Sequence, residues 1–249
     1  MDFDISSGFT ANRLIMSAFN AFANKFLVIL IIWLNIVLFS CEKKEGDPAY
    51  LGTEYFGLIP GAWAIYDVDS TVYDDFLGEV FHYQYQVKEV NAEVYIDSQG
   101  EESMRLERFW RADENDSWKI KNVWSASLLS QRAVKTEENI TYIKISFPAG
   151  SGRNWNGNAY NNKPAQQYVI TDIHTPKEIG NILFDSTLTV LQKDFITLIG
   201  EDLQYEIYVP GIGMVERKYI MLTKEVDGTI VRGVDYTYII AEHGKGELN

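Results

Sequence analysis

The sequence predicts a mainly β protein, an antiparallel meander forming a sandwich or an open (half) barrel, with little helix apart from an N-terminal leader. Three observations carry that expectation. Apolar and polar residues alternate in several segments, turn-forming residues recur between those segments, and no long stretch has helical periodicity.

The leader comes first. Phe26–Phe39 is an apolar run with Lys25 before it and Ser40-Cys41 at its end, and Cys41 is the single cysteine of the chain. A basic flank, an apolar stretch and a small residue before the cut form the layout of a secretory signal. A retained membrane anchor is the competing reading. The run is shorter than the roughly 20 residues that cross a bilayer core. Asn35 interrupts it, and a backward extension meets Asn24 and Lys25. Leu38-Phe39-Ser40-Cys41 resembles the bacterial lipobox, which implies that Cys41 becomes the lipidated first residue of the mature chain. Residues before Met16 carry no signal feature, so a start at Met16 gives a more ordinary leader. The expected organisation is a signal peptide over 1–40, lipidated Cys41 with a charged, flexible tether over 41–54, and one β-rich extracytoplasmic domain over 55–249.

Within that domain the period is two. Phe81, Tyr83, Tyr85 and Val87 alternate with His82, Gln84, Gln86 and Lys88. The same pattern recurs in Ile143–Phe147 against Lys144 and Ser146, in Leu203–Val209 against Gln204 and Glu206, and in Val234–Ile240 against Asp235 and Thr237. Each reads as a half-buried strand with its apolar series inward. Ser98-Gln99-Gly100 separates Val94–Ile96 from a strand over Met104–Trp110, and Pro210-Gly211 with Gly213 precedes one over Met214–Leu222. Asp227-Gly228 reads as a two-residue hairpin turn, since both residues tolerate positive φ. Pro176–Asn181 has room for a helical turn. Pro148–Pro164 reads as a long Gly- and Asn-rich loop, a class that is often functional.

Charge and composition exclude some functions. The net charge of −13 repels nucleic acid, and the leader contributes nothing to it. With Cys41 lipidated, no thiol remains for a disulfide or a cysteine nucleophile, so the fold stands on its core.

No residue pattern names a reaction. His82, His174 and His243 are far apart and lack metal-site spacing, and no Gly-x-Ser-x-Gly elbow is present. Asp67 and Asp69 share a strand face and, with Asp74 or Asp75, could offer oxygens to calcium, although acidic residues commonly solvate a strand edge. We therefore expect no catalytic residue, no metal and no cofactor. The candidate ligand-binding residues are Trp155, Asn156, Asn158 and Tyr160: aromatic faces stack on sugar rings, and flanking amides offer donors and acceptors to hydroxyls. The competing role for Trp155, as an inward anchor that pins its loop, is the stronger of the two.

Taken together, the Ser40-Cys41 leader, the Glu/Lys-rich start of the mature chain, Pro60-Gly61-Ala62-Trp63, Trp155-Asn156-Gly157-Asn158 and Val209–Val215 resemble lipoproteins of the Bacteroidota. The resemblance implies a shared fold and an outer-membrane address, on the periplasmic face or the cell surface, and no activity. Asp69-Ser70-Thr71 and Asp185-Ser186-Thr187 are similar to the O-glycosylation signal of that phylum. The expected function is a non-catalytic, lipid-anchored binding or scaffold module of the envelope. Its partners would be the membrane through the lipid, a glycan or an apolar ligand, and an envelope protein, with no nucleic acid. An apolar-ligand carrier with Phe81, Tyr83 and Tyr85 lining a half-barrel cavity, and a glycan-binding or glycan-processing accessory protein, are the alternatives.

Overall fold

The computed structural model describes residues 50–246, so the signal peptide, Met16, Cys41 and the tether up to residue 49 lie outside the described residues. Twelve strands follow a 3₁₀ turn at Thr53–Phe56: β1 Ala62–Asp74, β2 Glu79–Ile96, β3 Glu102–Arg111, β4 Lys119–Leu129, β5 Arg132–Glu137 and β6 Ile140–Ser146. Then come β7 Asn154–Asn156, β8 Gln167–Ile179, β9 Ile182–Ile196, β10 Gly200–Val209, β11 Gly213–Lys224 and β12 Ile230–Lys245.

Every ladder is antiparallel, and the order is β6-β5-β4-β3-β2-β1-β12-β11-β10-β9-β8-β7. The chain therefore meanders once around a nearly closed barrel whose first and last strands pair, Val68 opposite Tyr238, and whose seam lies between β6 and β7. Two side chains and one glycine carbonyl bond across that seam. Ile143 donates its backbone N–H to Gly157 O at 2.9 Å and accepts the Trp155 indole N–H at 2.9 Å, and Asn161 Nδ2 donates to Thr141 O at 2.8 Å. Close approach there requires Gly157, where a Cβ would come within 2.4 Å of the Tyr168 ring.

The up-and-down course gives the barrel two distinct ends. Tyr50, the β10–β11 turn and the end of β12 lie at one, here the lower end; the β1–β2, β5–β6, β7–β8 and β11–β12 turns lie at the upper end. The 3₁₀ turn closes the lower end. Tyr55 is fully buried, with its hydroxyl 2.9 Å from His174 Nδ1 and 2.8 Å from Ser186 Oγ, and Gly211 N donates to Glu54 O at 2.8 Å. Gly57 at φ 62° lies against the Ile212–Gly213 backbone, where a Cβ would meet Gly213 N at 2.2 Å.

Several expectations change in detail. The packed unit begins at Tyr50, because the last tether residues form this plug. Pro176–Ile179 is strand: Lys177, Glu178 and Ile179 pair with Phe184, Leu183 and Ile182, and Gly180 makes the turn. Cross-strand pairing outweighs the weak local helical preference. The loop Pro148–Pro164 contains β7, and the β11–β12 connection spans five residues, Glu225–Thr229, with Thr229 N bonded to Asp227 Oδ1. In β10 the period of two is present with both faces buried: Ile207 and Val209 pack with Ile179 and Phe184, while Glu206 and Tyr208 share the opposite face and are also buried.

Trp155→Phe removes the donor to Ile143 O and leaves that buried carbonyl unpaired, at a cost of about 1–3 kcal/mol. The expected outcome is a lower unfolding midpoint in urea, with faster exchange of the Ile143 amide hydrogen. Unchanged exchange at Ile143 would show that the indole does not hold the seam.

Candidate functional site

Charged side chains from strands far apart in the sheet meet inside the barrel. Lys144 (β6) and Glu206 (β10) are eight places apart, about 38 Å in a flat sheet at ~4.8 Å per strand. Yet Lys144 Nζ lies 2.9 Å from Glu206 Oε1, and both side chains are buried (5% and 1% exposed). Lys144 Nζ also lies 2.9 Å from Glu137 Oε1, and Arg217 Nη2 lies 2.8 Å from Glu137 Oε1 and 2.6 Å from Glu206 Oε1. Tyr208 donates its hydroxyl to Glu206 Oε2 at 2.6 Å. On the other side of the interior, Glu89 faces Lys135 Nζ at 2.6 Å and Arg108 Nε at 3.2 Å, and the Arg108 guanidinium sits 3.5 Å from the Trp124 ring centre.

Burial and pairing pull these groups in opposite directions. Burial raises the Glu206 carboxyl, but Lys144 and Arg217 outweigh it and hold the group down at about 2. Burial likewise raises Glu137, and Arg217 and Lys144 hold it well below the usual carboxylate range. Burial lowers Lys135, an effect that Glu89 and Glu137 only partly offset. The layer thus holds three carboxylates, Glu89, Glu137 and Glu206, against four cations, Arg108, Lys135, Lys144 and Arg217.

The layer divides the interior. A cavity of about 50 Å³ lies toward the plug, beside Phe56, Gly57 and Tyr66. A larger one of about 270 Å³ lies toward the upper end, with Lys144, Glu206 and Arg217 on its wall. Tyr219 and Tyr236 stack there, ring centres 4.9 Å apart and nearly parallel, and the amides of Gln166, Gln192 and Gln204 also line it. Two β-bulges shape this wall. The register skips Lys144 between β5 and β6, and skips Gln192 between β9 and β10. A bulge re-aims side chains, so Lys144 and Ile145 are both buried, and the consecutive residues Gln192 and Lys193 both line the cavity.

The candidate residues from the sequence fall in two places. Trp155 is half-buried, packs edge-on against Tyr168 and has its indole N–H bonded within the seam. Asn156 Oδ1 accepts from the backbone N–H groups of Asn158 and Gln166. Asn158 Nδ2 donates to Pro164 O at 2.7 Å, and the residue borders the upper cavity. Tyr160 lies apart from it, exposed, its hydroxyl 2.7 Å from Arg132 Nη1. Phe81 and Tyr83 stack on one another outside the cavity wall, and Tyr83 is 50% exposed. Asp67 and Asp69 accept from Gln86 and Gln84, and Asp74 caps the amides of Phe76 and Leu77. Ser186 is bonded to Tyr55 and Thr187 is fully buried, which shields Asp185-Ser186-Thr187.

The buried charges escape a sequence reading because an alternating strand is assumed to turn its charged series to water. The available signal was a Lys or Glu framed by aliphatic or aromatic residues on both sides, as in Ile143-Lys144-Ile145 and Tyr205-Glu206-Ile207.

Neither a protein-family model nor a curated protein sequence matches the chain. Among solved structures, a "putative lipoprotein" from Parabacteroides distasonis ATCC 8503 aligns at 12% identity, covering 76% of this chain and 98% of that one, with a TM-score of 0.35.

The ion layer sets an acid limit. Because the Glu206 pKa falls from 4.5 unfolded to about 2 folded, its contribution is fully present above about pH 4.5 and is lost as the pH drops toward 2. Melting temperature should therefore decline most steeply between those values, and a flat profile there would contradict the assignment. Glu206→Gln, which leaves Lys144 and Arg217 with one fewer countercharge, should cost about 3–5 kcal/mol in chemical denaturation at pH 7.

Proposed function

We propose that the chain is a lipid-anchored, non-catalytic binding module of the bacterial cell envelope, held at the outer membrane through Cys41, with its ligand taken into the upper cavity of the barrel. The polarity of the barrel carries this reading. Tyr50, nine residues after Cys41, enters at the lower end, and the 270 Å³ cavity lies toward the opposite end. The chain thus enters the barrel at the end away from the cavity. Two or more acyl chains on Cys41 suffice for stable anchoring without a spanning segment.

The chemistry of the interior supports binding over catalysis. A glycosidase keeps one carboxyl protonated as general acid. Glu137 and Glu206 are both held ionised by shared contacts to Lys144 and Arg217. The wall also favours a polar ligand over an apolar one, since amides, phenols and cations line it and Phe81 and Tyr83 lie elsewhere. An envelope protein as partner is the second reading. It is favoured by Phe76, Leu77, Leu198, Ile199 and Val226, exposed on three neighbouring turns of the upper rim.

Radiolabelled palmitate and intact mass test the anchor. The wild type should carry label, sediment with membranes and give a mature mass starting at Cys41, all lost in Cys41→Ala. A wild-type chain without label would remove the anchor and the envelope address.

A further inference from the structure

We propose that the upper cavity binds a single hydroxylated six-membered ring bearing one carboxylate, an acidic sugar such as a uronic acid. This inference rests on the binding reading above and deepens it.

The cavity carries a surplus of positive charge. Five basic residues border the cavity: Lys144, Lys163, Lys193, Arg217 and Lys218. Glu137 and Glu206 occupy Lys144 and Arg217, Asp202 lies 2.5 Å from Lys193, and Asp235 lies 2.6 Å from Lys218. Lys163 remains. Among the described residues its ammonium bonds only the Tyr142 hydroxyl, at 2.6 Å, and lies over that ring. In a chain of net charge −13, a cavity with one surplus cation is a local inversion that favours one negative charge.

Two residues of its wall also hold unmet hydrogen-bond donors. Gln192 is 9% exposed and lines the cavity, and its buried Nε2 donates to no atom among the described residues. A buried donor without a partner costs about 1–3 kcal/mol. Gln192 stands there because of the β9 bulge, which brings both Gln192 and Lys193 to the cavity. Arg217 Nε is buried and unbonded in the same wall, and Lys144 Nζ makes two carboxylate contacts with three hydrogens available. The site has more donors than acceptors, which suits hydroxyl and carboxylate oxygens.

Size and shape select the ring. At ~30 Å³ per water, 270 Å³ corresponds to about nine waters, enough for one sugar ring and too little for an oligosaccharide. The stacked Tyr219–Tyr236 pair gives the cavity an aromatic wall, and Gln166 and Gln204 add amides that can both donate and accept.

The test is calorimetric titration of the full chain with glucuronate, galacturonate and, as the neutral control, glucose, repeated with Gln192→Met and Lys163→Ala. Saturable binding of a uronate, at least tenfold tighter than glucose and weakened at least tenfold by each substitution, is the expected result. Gln192→Met should leave the unliganded melting temperature unchanged or higher, because it removes an unpaired donor; a structural role for that amide would lower it. Glucose binding as tightly as the uronates would overturn the acidic class and leave the binding reading standing. No saturable binding of either uronate, or binding that both substitutions leave intact, would overturn the site itself, whereas the anchor is decided separately by palmitate labelling.

Discussion

Four side chains from four strands, Glu137, Lys144, Glu206 and Arg217, meet at the centre of the barrel, and the rest of the structure is arranged around that meeting. Ladder pairing connects the β5–β6 half of the sheet to the β10–β11 half through β1 and β12, and these contacts, together with the bonds at the seam, tie the barrel across its diameter. Charges buried this deeply are poor sources of net stability, since desolvation opposes their mutual attraction. A wall of well-packed aliphatic side chains would close the same barrel more simply. What the ionic layer supplies instead is a fixed arrangement of charge, and with it two cavities of different character. The lower one lies beside Phe56 and Gly57, and the upper one is rich in donors.

The seam shows how the same problem is solved at the wall. β7 has three residues, too few to complete a ladder with β6, and Trp155, Asn161 and Gly157 supply the missing bonds from side chains and one glycine backbone. The Gly- and Asn-rich composition of Pro148–Pro164 is thus explained by closure: Asn side chains substitute for backbone partners, and Gly157 admits the Tyr168 ring. Its contribution to the cavity is indirect, through Asn158 on the border and the position it gives Tyr168.

Much of the architecture was legible in the sequence. The antiparallel meander followed from the alternation at Phe81–Val87, Leu203–Val209 and Val234–Ile240 and from the turns at Gly100 and Gly211, because period and turn chemistry are local properties. Which face points inward is not local. In this barrel Glu206 and Lys144 belong inside, beside apolar residues such as Leu106 and Tyr208, while Ile207 packs on the opposite face of its strand, and only the partner strands decide that. Bulges are equally invisible, since the extra residue at Lys144 or Gln192 has no distinguishing composition. The anchor of Trp155 was legible because a large aromatic in a long loop must pack somewhere. The exposed position of Tyr160 beside Arg132 was not, as it depends on how the β7–β8 loop lies over the sheet.

The central claim is that the barrel interior carries surplus positive charge aimed at the upper cavity. Anomalous diffraction from crystals grown in bromide tests it most directly. The account predicts an ordered bromide within the upper cavity, in contact with Lys163 or the Gln192 amide, in a protein whose net charge is −13. Bromide bound only on the outer surface, with the cavity holding water alone, would contradict it.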